Sequence, residues 1–120
     1  MRYGLAVKVA GEEPDLLIGC LGGGSNFGGF VLPFAKEVLQ GKRHCEFLAA
    51  QSMSAPNLVK GVYRYDFADV SEHTPLSKMN TLGHKAEMVP IRADGLRYHA
   101  AAPIISALRH HRVVNAVAYP

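Results

Sequence analysis

Leu16-Leu17-Ile18-Gly19-Cys20-Leu21-Gly22-Gly23-Gly24-Ser25-Asn26 joins a short apolar run to a glycine triplet and to the start of a segment with helical spacing. An apolar run of this length, bounded by turn residues, reads as a strand buried on both faces of a parallel sheet. The order strand, glycine turn, helix is that of an α/β unit. At such a turn glycines let the backbone approach an anion, which free N–H groups and the positive end of the helix dipole attract. Ser25 and Asn26 offer side-chain donors to the same oxygens, or cap the helix. A plain structural turn is the competing reading, and the Ser-Asn pair favours an anion site.

Two nucleotide loops fail on spacing. A dinucleotide fingerprint beginning at Gly22 needs a glycine where Phe27 stands, and a P-loop from Gly24 to Gly29 needs Lys-Ser or Lys-Thr where Phe30-Val31 stand. The anion is therefore not expected to be a nucleoside triphosphate held in the P-loop manner.

Outward from the turn, residues 15–21, 46–51 and 113–119 are strand candidates. Phe27, Phe30, Val31, Phe34 and Val38 recur at spacings of three and four and predict one face of a helix between the first two strands. Pro33 should kink that helix or delay its regular start, and Gly41 should cap its end. Pro103 suits the first turn of a second helix running to about His111, with Ile104, Ile105 and Leu108 as its apolar side. Strand, helix and strand in this order imply a right-handed crossover. The expectation is a small α/β three-layer piece: a short, mostly parallel sheet with helices packed on it. Residues 1–120 then form a single partial domain. Residues 52–100, with Pro56, Pro75, Pro90 and no sustained period, are expected to be irregular, an unusual length for a loop.

Composition excludes several classes. The chain has 120 residues, 48% hydrophobic, enough for one domain with a modest core. Its net charge of +3 is small and scattered. The basic cluster Arg109-His110-His111-Arg112 falls where the last helix should end, and cations there complement its dipole, so nucleic-acid binding is not expected. Without an apolar stretch of about 18 residues or a signal peptide after Met1-Arg2, the chain reads as cytoplasmic and free of membrane. Cys20 and Cys45 read as buried thiols, and the six histidines show no zinc-site spacing. Asp66 and Asp69 read as loop caps and ion-pair partners, with Arg64 or Arg97 as candidate cations.

Gly11-Glu12-Glu13-Pro14-Asp15, Gly22-Gly23-Gly24-Ser25-Asn26-Phe27-Gly28-Gly29, Pro33-Phe34, Tyr63-Arg64-Tyr65-Asp66-Phe67, Thr74-Pro75-Leu76, Met79, Thr81-Leu82-Gly83-His84, Gly95-Leu96-Arg97-Tyr98-His99 and Ala102-Pro103 together resemble the middle of a tryptophan synthase beta chain. The closer likeness is to the second branch of that family, and it spans roughly residues 11 to 119. The resemblance implies a lyase of tryptophan biosynthesis that uses pyridoxal phosphate to replace the serine hydroxyl with indole. It makes Gly22, Gly23, Gly24, Ser25 and Asn26 the cradle of the cofactor phosphate. It also implies a monovalent cation held by backbone carbonyls near this loop and near Leu96-Arg97-Tyr98.

Departures accompany the likeness. In the family the Schiff-base lysine lies upstream of the glycine loop and the pyridine-nitrogen partner lies downstream of the stretch seen here. Lys8, Lys36, Lys42, Lys60, Lys78 and Lys85 do not match the lysine position and read as solvated, so no catalytic residue is assigned. Gln51-Ser52 stand where the family usually has Glu-Pro, and Arg92 and Asp94 stand at its His and Gly positions, which puts the cation site in question. Two functions follow as expectations. One is an enzyme segment, inactive alone, completed by the absent parts of the parent or by another copy in a homo-oligomer. The other is a non-catalytic module that binds a phosphate-bearing ligand or serves assembly.

Overall fold

The computed structural model describes Val9 and residues 11–88 and 96–120. Its elements run β1 (Leu16–Cys20), α1 (Ser25–Leu39), β2 (Glu46–Ser52), α2 (Asn57–Lys60), β3 (Val62–Asp66), β4 (Ser77–Thr81), α3 (Pro103–His110) and β5 (Val114–Tyr119). Strands β1, β2 and β5 form a parallel sheet in that order, with Leu17 opposite Phe47 and Phe47 opposite Val114. The α/β class, the parallel sheet and the three strand positions agree with the sequence reading.

Alternation along the strands divides the sheet into two faces. Leu17, Phe47, Ala49 and Val114 lie on one, and onto it α1 brings Phe27, Val31, Phe34 and Ala35 while α3 brings Ile105. Phe47, Val31, Ile105 and Val114 are fully buried, each such side chain contributing about 1.5–3 kcal/mol. Leu16 and Ile18 point the other way and remain 46% and 56% exposed. Two helical positions differ from expectation. Phe30 and Ile104 are exposed, because each sits about 100° around its helix from a buried neighbour, Val31 and Ile105.

Helix ends follow local chemistry. At the end of α1 the Lys42 N–H donates to the Glu37 carbonyl and the Gly41 N–H to the Val38 carbonyl, with Gly41 at φ 73°. This pair of bonds is a Schellman cap, as the glycine predicts. The same pair closes α3, from Val113 to Leu108 and from Arg112 to Arg109, but there the left-handed residue is Arg112, at φ 63°. Pro33 does not delay α1, which is regular from Ser25 onward. The bond it cannot donate would go to the carbonyl of Gly29, an exposed residue that water can reach.

Residues 52–100 are not irregular throughout. They contain α2 and an antiparallel pair, β3 with β4, and residues 99–101 extend that pair on the far side of β4. There the Leu82 N–H donates to the His99 carbonyl and the Ala101 N–H to the Asn80 carbonyl. The pair escapes a periodicity search because Met79, Asn80 and Thr81 are buried in succession, so β4 does not alternate. Ser106 ties β4 to α3: its buried hydroxyl accepts the Asn80 N–H at 2.8 Å and donates to the Ala101 carbonyl. Pro90, Arg92, Asp94 and Lys8 lie outside the described residues.

The connection from β3 to β4 is organised by carboxylates. Asp69 accepts hydrogen bonds from the Thr74 and Ser71 hydroxyls and from the backbone N–H groups of His73 and Thr74, which hold its pKa well below the usual range. Asp66 takes its ion-pair partner from His84, not from Arg64 or Arg97. The imidazole lies between two carboxylates, Nδ1 2.7 Å from Asp66 and Nε2 2.7 Å from Glu72. Carboxylates only accept, so both ring nitrogens are donors and His84 is an imidazolium. The bond to Glu72 is the main cause of its raised pKa, followed by that to Asp66 against the cost of burial. Burial opposes the charge on Asp66, but bonds from Thr81, Phe67 and His84 outweigh it and lower its pKa. Cys20 is exposed at the end of β1, contrary to expectation, because it lies on the uncovered face, whereas Cys45 is buried and its thiol pKa is pushed up by desolvation.

Two outcomes are expected. Arg112→Gly should raise the unfolding free energy by about 1 kcal/mol, seen as a higher urea midpoint, since an L-residue in the left-handed region is strained by roughly 1–2 kcal/mol. In urea melts across pH, the stability His84 contributes should be complete below its ordinary value of 6.5 and fade as pH rises through its higher folded value. That of Asp66 should be complete above 3.8 and fade as pH falls below it. His84→Gln should remove the upper decline, and an unchanged upper decline would show that His84 is not its source.

Candidate functional site

The end of β1 is fixed to its neighbour by the Leu21 N–H, which donates to the Ala50 carbonyl at 3.0 Å. The glycine turn follows, and its three carbonyls are all engaged. Asn57 Nδ2 donates to the Gly22 carbonyl, the Ala102 N–H to that of Gly23 and the Gly28 N–H to that of Gly24. In a trans peptide the N–H points opposite to the C=O that precedes it. The N–H groups of Gly23, Gly24 and Ser25 therefore face away from these partners. Among the described residues they have no acceptor.

Gly24 is the N-cap of α1 at φ 108°, and with no side chain it leaves the first turn uncapped. A Cβ there would also meet Ala102 and Ile105 at 3.4 Å. Ser25 and Asn26 are exposed at the first two helical positions, so they do not take the capping role. The turn opens on a cleft of about 450 Å³ lined by Cys20, Gly22–Phe27, Tyr98 and Ala102, within the range of small-molecule pockets. The Tyr98 ring forms a wall, 3.4 Å from where a Cβ on Gly23 would lie.

All five residues singled out from the sequence thus come together on one cleft. The residues sequence reasoning missed stand behind it. Asn57 is fully buried, and its Nδ2 also donates to the Tyr98 carbonyl at 3.0 Å. Its Oδ1 accepts from Gln51 Nε2 at 2.7 Å, and Gln51 Oε1 accepts the Leu58 N–H. Asn57 follows Pro56 and reads as an ordinary turn residue, and only the departure at Gln51 marked this region. Arg97-Tyr98-His99 reaches distant segments: besides the Tyr98 carbonyl bonded to Asn57, the His99 Nε2 donates to the Phe67 carbonyl at 2.8 Å. The described lysines are all exposed, and none lines the cleft. No group of His, Cys, Asp and Glu suited to a metal ion occurs among the described residues. No described helix is long and apolar enough to cross a membrane.

No family model matches the chain. Individual proteins do. A tryptophan synthase beta chain of Thermococcus gammatolerans is 53% identical over 108 residues, covering 90% of this chain and 24% of its own length. A tryptophan synthase beta chain 2 of Methanothermobacter thermautotrophicus is 52% identical over 114 residues, 95% of this chain and 27% of that one. A third, beta chain 2 of Aeropyrum pernix, is 48% identical over 112 residues and is covered to 25%. The chain spans about a quarter of the length of these relatives, and over nearly all of its own length it is homologous to tryptophan synthase beta chains, the second-branch chains among them.

Proposed function

We propose that Gly22, Gly23, Gly24, Ser25 and Asn26 hold the phosphate of pyridoxal phosphate, and that the chain is the phosphate-binding portion of a tryptophan synthase beta-like enzyme. The observation that supports this best is the division of the turn: its carbonyls are held by the protein, while the N–H groups opposite them, on residues that line the cleft, have no partner among the described residues. Outward N–H groups beside an uncapped helix start suit an anion. The Ser25 and Asn26 side chains lie within the same lining and add donors. When bound, pyridoxal phosphate supplies an electron sink for chemistry at the α-carbon of an amino acid. This chain's own part is to grip the phosphate, to wall the cleft with Tyr98 and to keep the turn's carbonyls away from the ligand.

Among the described residues no lysine lines the cleft, which supports the view that the chain does not by itself convert L-serine and indole to L-tryptophan. On this reading the remainder of a beta chain, or a second copy, completes the site. It would also cover the uncovered sheet face that exposes Leu16, Ile18 and Tyr119, since parallel sheets are normally covered on both sides. The same absence of lysine among the described lining residues favours a second reading, a phosphate-ligand or assembly module without catalysis.

An amide NMR titration with pyridoxal phosphate, with inorganic phosphate as competitor, tests both. Saturable shifts confined to residues 22–27, with phosphate competing only weakly, are expected. Equal affinity for the two ligands would favour the module, and a silent loop in a folded chain would sink the phosphate assignment. Gly24→Ala should weaken the binding and destabilise the fold by about 1–2 kcal/mol, because alanine resists a positive φ.

A further inference from the structure

The resemblance implies a monovalent cation held by carbonyls of two backbone strips, one near the glycine turn and one near Leu96–Tyr98. Those strips do converge here, but on nitrogen. Asn57 Nδ2 lies 3.0 Å from the Gly22 oxygen and 3.0 Å from the Tyr98 oxygen. A cation placed between these two oxygens would overlap that atom, so the residues present do not fit the ion.

The orientation of the amide is determined from both ends. The Leu58 N–H can only donate, so the Gln51 atom facing it is the oxygen. The Gln51 amide nitrogen must then face Asn57, and it donates to Asn57 Oδ1. That leaves the Asn57 NH₂ group for the two carbonyls, which can only accept. From the Leu58 N–H through the Gln51 and Asn57 amides to the Gly22 and Tyr98 carbonyls, each donor meets an acceptor, and Gln51 and Asn57 are both buried.

We infer that the Asn57 amide, oriented by Gln51, stands in for a bound alkali cation and makes the glycine turn independent of one. The NH₂ group supplies the positive end of a dipole to each carbonyl and bridges two segments 76 residues apart without an ion. The neutral residue at position 51 is essential to this. A glutamate there has two acceptor oxygens and no donor. One would keep the Leu58 N–H, and the other would turn the Asn57 NH₂ toward itself. Asn57 Oδ1 would then face the carbonyls of Gly22 and Tyr98, and three oxygens beside a carboxylate form the ligand set that hard monovalent cations seek. The inference concerns the support behind the turn and does not rest on which anion the turn holds.

The test compares thermal unfolding of the wild-type chain and of Gln51→Glu in potassium, caesium and choline chloride at equal ionic strength. The wild type should melt at one temperature in all three salts. Gln51→Glu should melt lower in choline and recover by several degrees, saturably, in potassium or caesium. A wild type stabilised saturably by alkali ions over choline would overturn the inference, as would a folded Gln51→Glu that responds to none of them. If Gln51→Glu stays unfolded in every salt, the ²³Na line width of the wild type decides: broadening reversed by potassium refutes the inference, and a line as sharp as in buffer upholds it. Loss of phosphate binding in the titration above would leave these outcomes unchanged, so the two ideas fail separately.

Discussion

The buried amide of Asn57 is the constraint from which the cleft takes its shape. It joins three stretches of chain that are distant in sequence: the glycine turn through Gly22, the end of β2 through Gln51 and the segment after residue 95 through Tyr98. Each of these hydrogen bonds is worth only about 1 kcal/mol net, but a buried group left without its partner costs about 1–3 kcal/mol. The bonds therefore act as a set, since losing one segment leaves unpaired groups on the others. Three consecutive glycines would otherwise have wide conformational freedom. Anchoring the carbonyls of Gly22, Gly23 and Gly24 removes that freedom at the place where N–H directions matter.

One of those anchors, the Ala102 N–H on Gly23, extends the dependence to the β3–β4 pair. A two-stranded pair is marginal by itself. This one gains residues 99–101 as a further extended segment, Ser106 as a tie to α3, and the Asp66–His84–Glu72 bridge across its connection. Glu72 sits at φ 62°, a conformation that costs an L-residue roughly 1–2 kcal/mol. The ion pair with His84 offsets this. A strained residue kept next to an imidazolium marks the connection as a closed structure, held by charge where it has little apolar surface to bury.

The parts of this fold that were legible are those with a hydrophobic period. β1, β2 and β5 are apolar runs, α1 shows spacings of three and four, and Gly41 and Pro103 mark helix ends. The glycine turn was legible as a turn because an apolar run leads into three glycines and then into helical spacing. The β3–β4 pair was not, because Asn80, Thr81 and Asp66 are buried polar residues whose partners lie on other segments, and a local pattern cannot show distant satisfaction. Asn57 was hidden for the same reason: its side chain is defined by carbonyls 35 and 41 residues away. Cys20 and Ile104 were misplaced because an apolar residue in a strand or helix does not by itself tell which face is covered.

The division of labour within the turn also bears on the proposed anion site. Recognition by backbone N–H groups needs no particular side chain in contact with the anion, only a fixed path for the main chain. That path is determined by Asn57, Ala102 and Gly28, all within residues 22–102. Acid–base or nucleophilic chemistry is different, since it needs particular side chains brought to one point, and among the described residues no lysine lines the cleft. On the proposed reading, recognition of the anion and the support behind it therefore belong to one continuous stretch of fold.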